Sequence, residues 1–311
     1  MQLITNIRTR KQLSRKASVA WQCYLVLALP LIGFCLFTLR GILWAAYKSF
    51  FYYNQVNSET RFVGLENYIT LFTKDSVYWD TWKTAILFAL YKVPFEIPIA
   101  AIIALFLNKK LKGTNFFRAV FYMPSIVSLA VIGVIFMSMF EHNGVINALL
   151  RNLGLIDKNI DWFSNSFTAL TALMIGSTWS TIGINIIYML AAYQNVPNEL
   201  YEAAYLEGLG KCGMFFKITL PIIAPVFQVI MLLAINGTLS TGDYIIATTN
   251  GAPGGSTFTV MAYQISEYMP GFSGNLPNLG YGSAMSTVTA IILGVIALVY
   301  TKISNKFSNI Y

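Results

Sequence analysis

The sequence predicts an all-α integral membrane protein of about six transmembrane helices. Three observations carry that expectation. Only 11% of the 311 residues are charged and 56% are hydrophobic, where globular domains hold about 25% charged residues. Runs of roughly 20 apolar residues, the length needed to cross about 30 Å of hydrocarbon, recur along the chain. The lysines and arginines between those runs alternate between crowded and sparse segments, as they do when one side of a membrane holds the excess of positive charge.

The runs lie near 20–47, 82–107, 119–140, 167–193, 216–239 and 282–303. A basic head, MQLITNIRTRKQLSRK, precedes the first. That run is far longer than the roughly 7 to 15 residues of a signal-peptide core, so it is expected to stay as an anchor. If the N-terminus is cytoplasmic, the inner segments hold Arg8, Arg10, Lys11, Arg15 and Lys16, then Lys109, Lys110, Lys112 and Arg118, then Lys211 and Lys217, then Lys302 and Lys306. The outer segments hold only Lys48, Arg61, Lys74, Lys83, Arg151 and Lys158. This asymmetry puts both termini and the 194–217 loop in the cytoplasm of a multi-pass cell-membrane protein. The chain then divides into a basic cytoplasmic N-terminus (1–19), a first helix with its outer segment (20–81), a core of five transmembrane helices (82–303) and a cytoplasmic tail (304–311).

Enzymatic chemistry is not expected. The chain has no phosphate-cradling GxxxxGK[ST] loop, no HExxH and no paired carboxylates at a workable spacing, so no catalytic residue, resident metal or cofactor is assigned. Cys23 and Cys35 fall in the first apolar run and Cys212 in a polar loop, which argues against a disulfide framework. The longest outer segment, near 241–281, reads as loop because GAPGG and PGFSGNLPNLG are rich in turn residues. No nucleic-acid partner is implied.

The segment VPNELYEAAYLEGLGKCGMFFKITLPIIAP, Val196 to Pro225, is polar and helix-capable between two apolar runs. Pro197 suits a first helical turn, and Asn198 with Glu199 places polar and acidic groups at a helix N-terminus. Glu202, Ala203, Ala204 and Leu206 continue the helix, and Gly208, Gly210 and Gly213 interrupt it. Leu220-Pro221 is then expected to break or kink the next span near its inner end. A short helix on the inner face, bent by glycine and continued into a membrane helix, is a lever.

At these residues the chain resembles the permease subunits of binding-protein-dependent ABC importers. Their cytoplasmic signature runs Glu-Ala-Ala, three residues, Gly, nine residues, Ile, one residue, Leu-Pro. Here it is met by Glu202-Ala203-Ala204, Gly208, Ile218 and Leu220-Pro221. Glu207 stands where Asp is usual, which keeps the charge, and Leu209 where Ala is common, which bears on fine packing only. The resemblance extends over roughly residues 20 to 303 and points to the carbohydrate-uptake branch. FVGLENYITLF (62–72), LNKKLKGTNFFRAVFYMPSIVS (107–128), GVINALLRNLG (144–154), TNGAPGGSTFTVMAYQ (249–264) and GYGSAMS (280–286) are similar to stretches of one of its two paired subunits.

The resemblance implies an importer-permease bundle with a cytoplasmic coupling helix, Glu202 to Gly208, seated in a groove of a separate ATPase. It implies a second homologous permease subunit, two copies of a cytoplasmic ABC ATPase carrying ATP and Mg, and an extracytoplasmic solute-binding protein.

Charged groups inside spans are costly in hydrocarbon and face a partner or a cavity. Lys92 and Glu96 are four apart on one helix face and can form an ion pair, or one of them can touch solute. Sugar sites combine hydrogen-bonding groups with aromatic faces. The fifth run ends in Asn236, Thr238, Ser240, Thr241, Asp243 and Tyr244, and the fourth carries Ser177, Trp179, Ser180, Thr181 and Asn185. Trp179, Asn185, Asn236, Asp243 and Tyr244 are therefore candidates for the substrate pathway, the alternative being that they join helices to one another. The competing function is an ion-gradient-driven secondary transporter or channel, for which inverted repeats or a buried carboxylate relay would be expected. A membrane scaffold without transport is a third reading.

Overall fold

The computed structural model describes residues 19–54, 59–109, 113–269 and 278–308. The basic head, Lys110, Lys112, most of the PGFSGNLPNLG stretch and the last residues of the tail lie outside the described residues. Five helices are long and apolar enough to cross a membrane, and a sixth crossing is supplied if one bent pair counts as a span.

Helix α1 (Val19–Lys48) buries none of its apolar window within the chain. Only its last turns lie against the final helix. A two-stranded hairpin follows, β1 (Phe51–Asn54) antiparallel to β2 (Glu59–Phe62), with Phe51 opposite Phe62. It is the one departure, among the described residues, from an all-α chain. Helix α2 (Glu66–Thr73) leads to α3 (Ser76–Asn108), which starts at Asp75, whose carboxylate accepts the Tyr78 N–H at 2.9 Å. Its 33 residues continue through Pro94 and Pro98.

The third expected span is not one helix. Helix α4 (Thr114–Tyr122) passes through a 3₁₀ turn at Met123–Ile126 and then meets α5 (Leu129–Phe140) at a bend of 94°. The span expected near 119–140 is corrected to an elbow, set by a break in the chain and by what the neighbouring helix presents to it. Pro124 brings no N–H to a helical ladder, and Val127 and Ser128 are extended. Ser125 Oγ donates to the Ser180 carbonyl at 2.6 Å, and Gly183 on the neighbouring helix lets the Phe121 backbone come so close that no Cβ would fit.

Helix α6 (Val145–Asn152) is pinned by buried Asn147, which donates to the carbonyls of His142 at 3.0 Å and Ile160 at 2.9 Å and accepts from Trp162 Nε1 at 3.2 Å. His142 is exposed and lies beside Asp161. Helix α7 (Ser166–Gln194) is capped by Asn165. After the short α8 (Asn198–Leu206), helix α9 (Lys211–Leu239) crosses back.

The stretch expected to be a long outer loop instead holds α10 (Asp243–Thr248) and α11 (Val260–Tyr268). Tyr244, Ile245, Val260 and Ala262 on them are fully buried. The glycines of GAPGG only turn the chain; the apolar residues flanking them gain more from burial than from water. Helix α12 (Leu279–Ser308) closes the bundle. Its Gly280 meets the Phe51 carbonyl where any side chain would collide.

Three buried clusters hold these pieces. One joins Val93, Ile97 and Ala100 of α3 to Ile186 and Met189 of α7 and Ile223 and Ile230 of α9. A second joins Phe88, Ile132, Phe136, Leu173 and Tyr244. The third packs Leu71, Tyr78 and Trp82 on Tyr281 and Met285. The first cluster lies at the end of the bundle that carries Leu107 and Val196, and so it supports the root of α8.

Candidate functional site

The signature loop forms a short helix tied to a long one. Pro197, extended at φ −61° and ψ 133°, precedes α8. Ala204 turns inward with 5% of its surface exposed, whereas Tyr205 and Leu206 stand 74% and 86% exposed. Glu202 and Ala203 are exposed too. The helix thus shows an acidic and apolar face that none of the described residues covers. It ends at Gly208, φ +81°, where the Gly208 and Leu209 amides donate back to the carbonyls of Tyr205 and Ala204, both at 3.0 Å. This left-handed ending is one that glycine adopts without steric cost. Gly210 then opens α9, and Gly213, expected among the interrupting glycines, sits inside that helix.

Leu220-Pro221 does not break α9. The Leu220 amide donates to the Phe215 carbonyl, five residues back, and Phe215–Thr219 forms a π turn. Proline, which lacks an N–H and collides with a carbonyl four residues earlier in a regular helix, is accommodated by that wider turn. Ile218 packs against the first cluster. Sequence reasoning missed the residues that join the two helices: the Tyr201 hydroxyl and Thr219 Oγ1 lie 2.7 Å apart, linking α8 to the root of α9. A tyrosine one residue before the Glu-Ala-Ala, on the same face as Ala204, was the available signal.

Deeper in the bundle, Lys92 Nζ lies 3.4 Å from Glu96 Oε2, with the two side chains 3% and 1% exposed. Glu96 Oε1 accepts from Thr181 Oγ1 at 2.6 Å and from Asn185 Nδ2 at 2.7 Å, and Lys92 donates to Thr238 Oγ1 at 3.5 Å. One ion pair therefore ties α3 to α7 and α9. Each carboxylate oxygen and the ammonium is supplied with a partner, the condition under which buried charges persist.

The other pathway candidates scatter. Trp179 is 45% exposed, with its ring 5.6 Å from that of Phe136. Asn236 is half-buried on α9 and Asp243 is exposed at the start of α10. Tyr244 reaches no surface: it is fully buried and its hydroxyl donates to the Leu173 carbonyl at 3.0 Å. The expectation that Tyr244 lines a pathway is corrected, because the chain turns after Leu239 and α10 folds back onto α5 instead of prolonging α9. Asn185 is likewise enclosed, against Glu96.

Residues 96–307 match the family model described as "Binding-protein-dependent transport system inner membrane component". The probable ABC transporter permease protein YesP of Bacillus subtilis is 34% identical over 278 residues, covering 88% of this chain and 87% of that protein. The arabinooligosaccharides transport system permease protein AraP of the same organism is 32% identical, covering 91% of this chain and 88% of that protein. Among solved structures, a chain of a bacterial alginate ABC transporter, crystallised in complex with an alginate pentasaccharide-bound periplasmic protein, superposes with a TM-score of 0.72 at 21% identity, covering 94% of this chain and 96% of that chain.

Proposed function

Because the chain belongs to the binding-protein-dependent transport system inner membrane components, we propose that it forms, with a second homologous permease, the pathway by which a sugar or oligosaccharide enters the cell at the expense of ATP hydrolysed elsewhere. The sugar class is supported by AraP, whose name specifies arabinooligosaccharides. An extracytoplasmic binding protein delivers the solute, and two copies of a cytoplasmic ABC ATPase hold the ATP and Mg. The chain itself is a transport subunit of the cell membrane with both termini in the cytoplasm. It carries no catalytic residue.

The observation that carries this reading is α8, exposed at Glu202, Tyr205 and Leu206 and tethered through Tyr201 to Thr219 at the foot of α9. A partner gripping α8 would pull on α9 through that hydroxyl pair and through the short Glu207–Gly210 link between the two helices. Closing of the ATPase dimer would switch the pathway from inward-facing to outward-facing through that link.

Purification from membranes in mild detergent is expected to yield this chain with a second permease and an ATPase. In proteoliposomes, the liganded binding protein should stimulate ATP hydrolysis. A chain that purifies alone and accumulates solute on an ion gradient would overturn the reading.

The pathway wall is proposed to include Trp179, Asn236 and Asp243, with Asn185 behind it. Trp179 offers a ring to the apolar side of a sugar and the others offer polar groups to hydroxyls. Asn236→Ala should raise the solute concentration for half-maximal uptake about fivefold, the worth of about 1 kcal/mol from one hydrogen bond. Uptake kinetics left unchanged by Asn236→Ala and Asp243→Asn together would remove these residues from the wall.

A further inference from the structure

A cleft of about 690 Å³ opens where the inner ends of α3 and α7 meet the start of α4 and the root of α8. Lys109, Asn115, Arg118, Gln194, Asn198 and Tyr201 are among the residues lining it, and among the described residues none that lines it is acidic. Arg118 Nε is fully enclosed and has no hydrogen-bond partner among the described residues. A guanidinium N–H shut away from water without an acceptor is costly. Two cations, four amide side chains (Asn108 with Asn115, Gln194 and Asn198) and no carboxylate among the described residues make a wall of donors.

We propose that this cleft binds a phosphate group. The planar fork of Arg118 suits a phosphate's oxygens, Lys109 adds a mobile charge, and the amides can donate to the remaining oxygens. The group can come from an inner-leaflet phospholipid or from a free phosphate ester in the cytoplasm. Phe116 and Phe117, 68% and 50% exposed beside Arg118 on α4, favour the lipid, since they offer acyl chains an apolar surface next to the headgroup. Because the cleft adjoins the tether between Tyr201 and Thr219, its occupant bears on the seating of α8. The inference rests on the inward placement of the 194–217 loop proposed above.

The test uses the whole complex in nanodiscs. In phosphatidylglycerol discs, native mass spectrometry after mild delipidation should find retained phosphatidylglycerol, lost at least about tenfold in Arg118→Gln and less in Lys109→Gln. In phosphatidylcholine discs, calorimetric titration with inorganic phosphate asks for the free source. Arg118-dependent binding in either arm supports the proposal and names the source. Absence of binding in both arms, or binding unchanged in both variants, overturns it. Lys109→Gln alters an exposed side chain, so it remains informative if Arg118→Gln assembles poorly. Labelling native Cys212, exposed in the same loop, with an impermeant maleimide in a Cys23→Ala, Cys35→Ala background tests the inward placement separately.

Discussion

Glu96→Leu is expected to destabilise the protein by about 3 to 5 kcal/mol, because it leaves Lys92 as a buried charge with no counter-ion. The same change removes the acceptor for Thr181 and Asn185. Adding Lys92→Met should recover most of the loss, since a buried ion pair replaced by apolar groups of similar volume is often neutral. Thermal unfolding of the assembled complex in detergent, across the two single variants and the double, measures the coupling. A double variant no more stable than Glu96→Leu would show that the pair is not what joins the three helices. The same set separates the two roles that the sequence left open: if stability returns in the double variant and transport does not, one of the pair also serves the solute.

At Gly208, a β-branched side chain has open space around it, so the penalty falls on the backbone alone. Holding valine at φ +81° costs more than the roughly 1 to 2 kcal/mol of an ordinary L-residue in the left-handed region. The last turn of α8 should yield, tilting the exposed face of Glu202, Tyr205 and Leu206. Solute-stimulated ATP hydrolysis by Gly208→Val is expected to fall by about 5- to 150-fold, the range of a coupling energy of about 1 to 3 kcal/mol. Gly208→Asn, which tolerates this conformation, should lose far less. Tyr201→Phe should keep the subunits together and still weaken coupling, because it deletes only the hydroxyl that meets Thr219. Full stimulation in both Gly208→Val and Tyr201→Phe would mean that α8 is not the force-bearing element.

The family assignment sets aside the ion-gradient transporter that the sequence had left as a rival. What the residues alone conveyed was the position of the signature segment: Glu202-Ala203-Ala204, Gly208 and Leu220-Pro221 are neighbours in the chain, so their spacing could be read directly. Long-range contacts could not. Lys92 and Glu96 are one helical turn apart and their pairing was legible, but their partners lie 85 to 146 residues away. Tyr244 looked like a wall residue because it follows a polar run, and only the fold-back of α10 made it core.

Membrane crossing and the glycine-ended short helix follow from the sequence by itself, since hydrophobic run length, helical period and left-handed backbone preference are local properties. The elbow at Pro124, the buried ion-pair junction and the cationic cleft belong to the tertiary structure. Each depends on what a second segment presents at the same point, such as the Ser180 carbonyl, the Gly183 gap or Thr238, and close packing in a dense interior is decided by shape complementarity that no single stretch of chain encodes.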